Sequence, residues 1–427
     1  MTSSRFPGFY RHTPMERRKA IAEEIHFDSP ELFDASSLSL QHADIMVENV
    51  IGTFAMPLAI AVNFSINGSD RLIPMVVEEP SVIAAVSNMA KLVRPHGGFQ
   101  SHSDESIMIG QVQLYDVSDP VACIEKLNHS KEFFMEQAHQ IHPRLIERGG
   151  GIRGLDFRHI RYDEEGETPS DMVVMHFYLD CVDAMGANMI NTIAEMLAPR
   201  LQDITGEKVG LRILSNYATK RLATARCQIP VNALNVDGIS GELVAKGIIN
   251  AYRFAYADPW RAATNNKGIM NGIDALAIAT GNDWRAIEAG AHAWAARSGQ
   301  YRSLGKWSLK DDSLVGELTL PMQVGTVGGP IRTHPQVAAN LKILGNPRAK
   351  ELSGIMAVIG LAQNLGALRA LATEGIQKGH MRMHSRNIAI QAGAKHSEIP
   401  LVVERMSETH SFSLEFAQQI LQSIRSP

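Results

Sequence analysis

Between Ala263 and His292 the chain reads ATNNKGIMNGIDALAIATGNDWRAIEAGAH. Asn265, Asn266, Lys267, Asn271, Asp274, Asn282 and Asp283 are interleaved there with Ile269, Met270, Ile273 and the run Ala275–Ala279. Solvated loops are polar too, but apolar neighbours on both sides point the lysine and some of the amides inward. An inward ammonium is costly unless it is paired. A fold for this sequence must therefore bring a carboxylate to Lys267, and Asp283 is the nearest strong candidate. The competing reading is a structural ion pair in a helical core.

The rest of the chain limits what such a site can belong to. Its 427 residues suffice for two or three domains and a sizeable core. A net charge of −4 gives no global field for nucleic acid or an anionic membrane, so neither is an expected partner. Cys123, Cys181 and Cys227 are far apart and form no C-x-x-C, which reads as a reducing compartment without a cysteine metal site. The N-terminal MTSSRFPGFYRHTPMERRKA lacks the apolar core of a signal peptide, and no run approaches the ~18 apolar residues of a spanning helix. The expectation is a soluble, cytoplasmic protein.

Along the chain, Thr13-Pro14 followed by Glu16 reads as a helix start. Ile51–Phe64 is strand-like, and Asn67-Gly68 turns into a second strand over Leu72–Val77. Pro80 fits the first position of a helix carrying Val82, Val86, Met89 and Val93, so Glu79 sits at a strand-to-helix junction. The plain reading of Glu79 is a carboxylate answering the helix dipole.

From Met108 the pattern changes. A strand over Ile109–Val117, a long helix from Pro120 to about Arg148, strands over Leu155–Tyr162 and Met172–Leu179, a helix over Ala187–Leu201 and a strand over Val209–Leu214 make the split βαβ order. The expected fold class is α+β: a large mixed α/β domain with an inserted ferredoxin-like, non-Rossmann domain and a helical C-terminal flap. The boundaries are 1–108 with 219–375, then 109–218, then 376–427. Beyond the insert come a strand over Arg221–Ile229 and a helix over Gly241–Tyr256. A tight loop follows at Val324–Pro330, then mainly helical sequence that includes Gly354–Leu371, and a last helix over Ser413–Ile424.

Three further features could carry chemistry. Asp183-Ala184-Met185-Gly186-Ala187-Asn188 follows a strand and opens a helix, whose free N–H groups could cradle a phosphate while Gly186 permits close approach. It lacks the G-x-G-x-x-G spacing, and an ordinary strand-to-helix turn would look the same. His380-Met381-Arg382-Met383-His384 puts two histidines four apart, but Met381 replaces the base of a zinc motif and no third ligand is evident, so no metal is expected. A histidine beside glycine on a tail suits proton delivery, or is a surface residue. Gly149–Gly151 followed by Arg153, Arg158, His159 and Arg161 could hold phosphate or simply be a loop.

Taken together, Glu48-Asn49-Val50-Ile51-Gly52, Glu79-Pro80-Ser81, Asp183 to Asn188, Asn266-Lys267-Gly268-Ile269-Met270-Asn271-Gly272, Thr280-Gly281-Asn282-Asp283 and Gly379-His380-Met381 occur in one order. That set resembles the soluble, bacterial class II 3-hydroxy-3-methylglutaryl-CoA (HMG-CoA) reductases over nearly the whole chain. The resemblance implies reduction of HMG-CoA to mevalonate and free CoA by two NADPH or NADH, with CoA as part of the substrate and no metal. It also implies a homodimer with shared active sites, with Glu48–Gly52 near the interface, and leaves a higher oligomer open. Lys267 would stabilise the substrate oxyanion, His380 would protonate the CoA thiolate, and Glu79 would be the acid of the second reduction, its acidity weakened by burial. Asp283 would bridge Glu79 and Lys267. Ser81, Arg261 and Asn271 match substrate positions, and Gln363 and Arg11 are matched to CoA. Asp183, Met185, Gly186, Asn188 and Asn216 match cofactor contacts. Where NADH-using relatives carry an aspartate after the triple glycine, this chain has Gly154. That loss, with Arg153, Arg158 or Arg161 nearby, leans the expectation to NADPH, although Asp156 could restore NADH. Two rival readings are a catalytically idle CoA-binding protein on the same fold and an oxidoreductase for another branched acyl-CoA.

Overall fold

The computed structural model describes residues 3–26, 38–236, 238–373, 375, 385–409 and 411–426. Helix α1 (Pro14–Glu24) opens with a capping box in which Thr13 and Glu16 satisfy each other's backbone N–H groups. The short α2 (Leu40–Met46) follows. Strands β1 (Leu58–Ile66) and β2 (Ser69–Val76) pair antiparallel around Asn67-Gly68. The first strand thus begins later than its sequence indicates, because residues 51–57 form no regular structure and leave Ile51 and Phe54 exposed. Helix α3 (Val82–Val93) buries Val82, Val86, Met89 and Val93; its N-cap is Ser81, so Pro80 lies just outside it.

After β3 (Gln100–Ser103) comes the split unit: β4 (Ile107–Tyr115), α4 (Pro120–His129), α5 (Lys131–Ile141), α6 (Pro143–Glu147), β5 (Gly151–Tyr162), β6 (Ser170–Asp180), α7 (Ala187–Thr205) and β7 (Lys208–Ser215). The expected single helix over 120–148 is three helices. Ser130 joins α4 to α5, and Pro143, which has no N–H to donate, starts α6 anew. The strands lie in the order β5-β6-β4-β7, every neighbouring pair antiparallel, which is the split βαβ topology. Their inner face and helices α4, α5 and α7 enclose a separate core that includes Leu127, Phe134, Phe177, Ile190 and Leu197.

The chain then returns to the first layer through β8 (Leu222–Pro230), α8 (Gly241–Ala257), α9 (Pro259–Ala279), α10 (Trp284–Ala295), β9 (Gly305–Lys310), β10 (Ser313–Pro321), α11 (Pro330–Thr333), α12 (Pro335–Leu344) and α13 (Ala349–Ala372). A sheet of order β3-β8-β10-β9 packs with α8, α9 and α13. Its β9–β10 hairpin turns on Asp311 and Asp312, both at positive φ, as two-residue hairpins require. Helix α13 corrects one expectation: its 24 residues are long and apolar enough to cross a membrane, and it lies mostly buried against α3, α8 and α9. Helix α9 runs unbroken through Gly268 and Gly272. At Gly272 a Cβ would stand 2.9 Å from Ile359 of α13, so the absent side chain lets the two helices approach closely. Helices α14 (Ile399–Glu408) and α15 (Leu414–Arg425) close a small core of their own around Val402, Met406, Ala417 and Ile420.

Candidate active site

Helix α9 buries Asn265, Ile269, Gly272 and Leu276, which recur at helical spacing, and so turns Lys267 and Asn271 to the other side. The segment after β2 carries Glu79 to that side. Lys267 Nζ lies 2.9 Å from Glu79 Oε2, and Asn271 Nδ2 donates to the same oxygen at 3.3 Å. One carboxylate oxygen thus accepts from two donors a helical turn apart. Ser81, two residues from Glu79, holds φ at 81°, a left-handed conformation that costs a non-glycine residue of order 1–3 kcal/mol and clusters at ligand sites.

Two expectations need correction. Within the single chain Lys267 is not turned inward: its side chain is 63% exposed and that of Glu79 31%, so burial does not isolate the carboxyl. The inward polar groups are the amides. Asn266 donates to the Arg302 carbonyl at 2.8 Å and accepts from the Leu304 N–H at 3.0 Å, while Asn265 bonds Asn364 of α13. Nor is Asp283 the partner of Lys267. It caps α10, accepting the Ala286 N–H at 3.1 Å, and lies 3.6 Å from Arg285. A helix start needs such a cap, and that need orients the carboxylate.

The other matched residues are dispersed. Arg261 sits in the first turn of α9, its N–H capped by Asp258 at 2.8 Å, and a different part of the helix surface separates it from Lys267. Gln363 is buried on α13 against Gly272, its Oε1 sealed without a partner, rather than offered to solvent. Arg11 ends an exposed turn and stacks on Tyr10. His380 lies outside the described residues, as does the rest of Gly379-His380-Met381. A groove of about 1870 Å³ runs from Tyr10, Arg17 and Arg18 past Lys91 to Ile83 and Ile278, the latter on the Lys267 stripe of α9. All three cysteines are buried. Desolvation pushes the Cys123 thiol up to about 11 and those of Cys181 and Cys227 up to about 12, so none is a thiolate at neutral pH.

Asp183 to Gly186 lies in the turn between β6 and α7, and Ala187 and Asn188 open the helix. Gly186 caps the helix at φ 104°, and a Cβ there would meet Cys181 Sγ at 2.3 Å. Asp183 accepts from the Arg348 guanidinium at 3.1 Å and from the Ala349 N–H at 3.0 Å, which ties it to the start of α13. Beside it lies a cavity of about 340 Å³ bordered by Arg148, Asp180, Arg348 and Lys350. Asn188 and Asn216 are exposed near this junction, and the Asn216 carbonyl accepts from Gln323 at 2.9 Å. Gly154 lies on β5 opposite Tyr178, beside a bulge at Ile152. Arg153 turns to Asp180 at 2.8 Å, Arg158 to His176 at 3.3 Å, Arg161 to Asp163 at 3.4 Å and Asp171 at 3.5 Å, and Asp156 accepts from Tyr178 at 2.5 Å.

Arg221 is a residue that sequence reasoning missed. It is fully buried and donates to the carbonyls of Ala184, Met185 and Val324, while Asn282 accepts the neighbouring Gly325 N–H at 2.7 Å. These bonds fasten the β6–α7 turn and the turn before Asp283 to one loop. An arginine after Lys220 at a strand start carries no signal of this.

The model of the hydroxymethylglutaryl-coenzyme A reductase family matches residues 13–385. The chain belongs to this family. The reductase is 47% identical to a 3-hydroxy-3-methylglutaryl-coenzyme A reductase of Archaeoglobus fulgidus, over 99% of this chain and 95% of that one. A probable reductase of Borreliella burgdorferi is 34% identical over 97% and 95%. Among solved structures, it is similar to the class II 3-hydroxy-3-methylglutaryl-CoA reductase of Streptococcus pneumoniae bound to NADPH in open conformations. The TM-score is 0.80 and the identity 44%, with 97% of this chain and 100% of that chain covered.

Proposed function

We propose that this reductase carries out both reductions of HMG-CoA, to mevalonate and free CoA, at the Glu79–Lys267–Asn271 cluster. The observation that carries the assignment is the 2.9 Å pair of Lys267 and Glu79, an ammonium beside a carboxyl that can cycle its proton. Hydride is all that the bound nicotinamide need supply. Lys267 then faces the negative charge that develops on the substrate oxygen, where a fixed donor is worth most. Departing thiolate takes its proton from His380, and Glu79 protonates the second alkoxide while Lys267 and Asn271 hold its carboxylate form. Ser81 and Arg261 bind the HMG portion, Arg261 through its carboxylate. Asp283 tunes the pair from the start of α10 once the assembly brings it near.

The basic groove at Arg17, Arg18 and Lys91, with its apolar walls, has the chemistry of a diphosphate and a pantetheine arm, and Arg11 and Gln363 are the remaining CoA candidates. The N–H groups at the start of α7, with Asp183, Met185, Asn188 and Asn216, fit a nicotinamide dinucleotide because the first N–H groups of a helix have no partner within it and favour a phosphate. NADPH is the favoured cofactor: Gly154 offers no carboxylate, Asp156 is engaged by Tyr178, and the Streptococcus relative is bound to NADPH. The exposed Ile45, Val47, Ile51 and Phe54 around Glu48–Gly52 support a homodimer with shared sites, and a soluble, cytoplasmic enzyme fits the solved relatives. The cores support the division into 1–108 with 219–375, 109–218 and 376–427: two lie in the first part, and the second and third parts have one each.

Initial rates with HMG-CoA and NADPH or NADH, in both directions and against a panel of branched thioesters, test this reading. Two nicotinamides oxidised per mevalonate, faster with NADPH, is the expected result. Folded protein that binds CoA and oxidises neither cofactor would instead be an idle binding protein.

A further inference from the structure

Asp274 lies on the same stripe of α9 as Lys267 and Asn271, one turn beyond the asparagine. Its Oδ1 is sealed from solvent and receives no hydrogen bond from an N–H or hydroxyl donor, and the carboxyl is within hydrogen-bonding reach of Glu288 of α10. Glu288 in turn lies 2.6 Å from His292 Nε2, whose Nδ1 is 2.7 Å from the Tyr301 hydroxyl. Two carboxyls in contact, one of them desolvated, cannot both be ionised cheaply. Burial first, and then Glu288, push the Asp274 carboxyl up to about 8, while the hydrogen bond from His292 holds Glu288 below the usual carboxylate range. The charged group acting on Asp274 is Glu288 of α10, with His292 of the same helix behind it and the Tyr301 hydroxyl, from the segment after α10, behind His292. Strand β2 and helices α3, α8, α12 and α13 also pack on α9, and among the described residues none of them contributes.

We propose that Asp274 and Glu288 hold one proton between them, and that Asp274, kept neutral by it, is a positioning residue for the Lys267–Asn271 edge of α9. The pair joins the helix that carries Lys267 and Asn271 to the helix that begins at Asp283. Loss of the proton sets two carboxylates against each other across that joint and puts a new negative charge on the stripe of the ammonium. The site then loses its geometry on the alkaline side. This rests on the reductase reading for its kinetic half and is independent of it for the other.

The test uses the full-length Asp274→Asn variant, which imitates the neutral acid, with Asp274→Ala and Glu288→Gln beside it. Asp274 binds its proton more tightly folded than unfolded, so its contribution to stability is complete at acid pH and is lost as pH rises towards 8. Denaturant unfolding at pH 6 and pH 8 should show the parent's folding constant falling roughly fiftyfold relative to that of Asp274→Asn. Equal dependence in the two proteins would overturn the shared proton, whether or not HMG-CoA is turned over. In the kinetic arm, kcat of the parent falls above about pH 8. Asp274→Asn keeps its rate there, Asp274→Ala is slow at every pH, and Glu288→Gln moves the fall to lower pH because Asp274 then ionises more easily. If the asparagine variant follows the parent's profile, or is as slow as the alanine variant, Asp274 does not position the site. A parent that folds with the expected pH dependence and oxidises no NAD(P)H would refute the reductase reading alone.

Discussion

Replacing Lys267 by alanine should separate function from stability. The ammonium it removes is 2.9 Å from Glu79, with side chains 63% and 31% exposed in the chain. A pair so open to water contributes about 0–1 kcal/mol to folding. The melting temperature should therefore move by no more than about 2–4 °C. An electrostatic contact made to the developing oxyanion is worth far more, about 2.7–4 kcal/mol, or 10²–10³ in kcat. Because the contact strengthens only as charge develops, KM for HMG-CoA should stay within about threefold. Lys267→Arg should recover less than about a tenth of the lost rate, since a planar fork does not replace a compact point charge between Glu79 and the substrate. The assay is saturating HMG-CoA and NADPH followed by NADPH oxidation, with thermal melts of the same preparations. A fall in kcat below tenfold, or a loss of activity matched by a collapsed melt, would refute the reasoning.

Three further outcomes follow from other parts of the chain. His380→Ala should slow reduction of the thioester far more than reduction of added mevaldehyde, because only the first releases a thiolate; equal losses would remove its role as thiolate acid. Gly186→Ala should cost about 1–3 kcal/mol, since φ is 104° and the new methyl would meet Cys181 Sγ at 2.3 Å. It should also raise KM for NADPH, and an unchanged KM would take the start of α7 out of the cofactor site. In the C-terminal core, hydrogen bonds from Arg425 and the Lys395 N–H, with the Arg425 charge, lower Glu398 to about 2. That stabilisation is present above the ordinary glutamate range and is lost as pH falls from about 4 towards 2. Hydrogen exchange in α14 and α15 should quicken over that interval, and Glu398→Gln should show the faster exchange already at pH 7.

Local rules made much of the fold legible. The helix start at Thr13 to Glu16, the Asn67-Gly68 turn and the spacing of Val82, Val86, Met89 and Val93 each depend on neighbours in the chain, and each element formed. The same rules failed where contacts are distant. Glu79 reaches Lys267 across 188 positions, so proximity in the sequence favoured Asp283 instead. Helical phase would have helped, since Asn265, Ile269, Gly272 and Leu276 define the buried face of α9 and leave Lys267 opposite. The β9–β10 hairpin escaped notice because SLVGELTLP opens on four consecutive buried residues, which hides its period of two, although GKWSLK before it does alternate. Arg221 was invisible for a further reason: its partners are backbone carbonyls, which carry no residue identity.

The central claim is that the Lys267 ammonium meets the oxygen of the carbon being reduced. A crystal structure of the assembled protein with HMG-CoA and oxidised cofactor measures this directly. The account predicts the thioester oxygen at about 2.7–3.1 Å from Lys267 Nζ, with the Glu79 carboxyl on the same side. An oxygen beyond hydrogen-bonding reach of Lys267, or held by another cation, would contradict it.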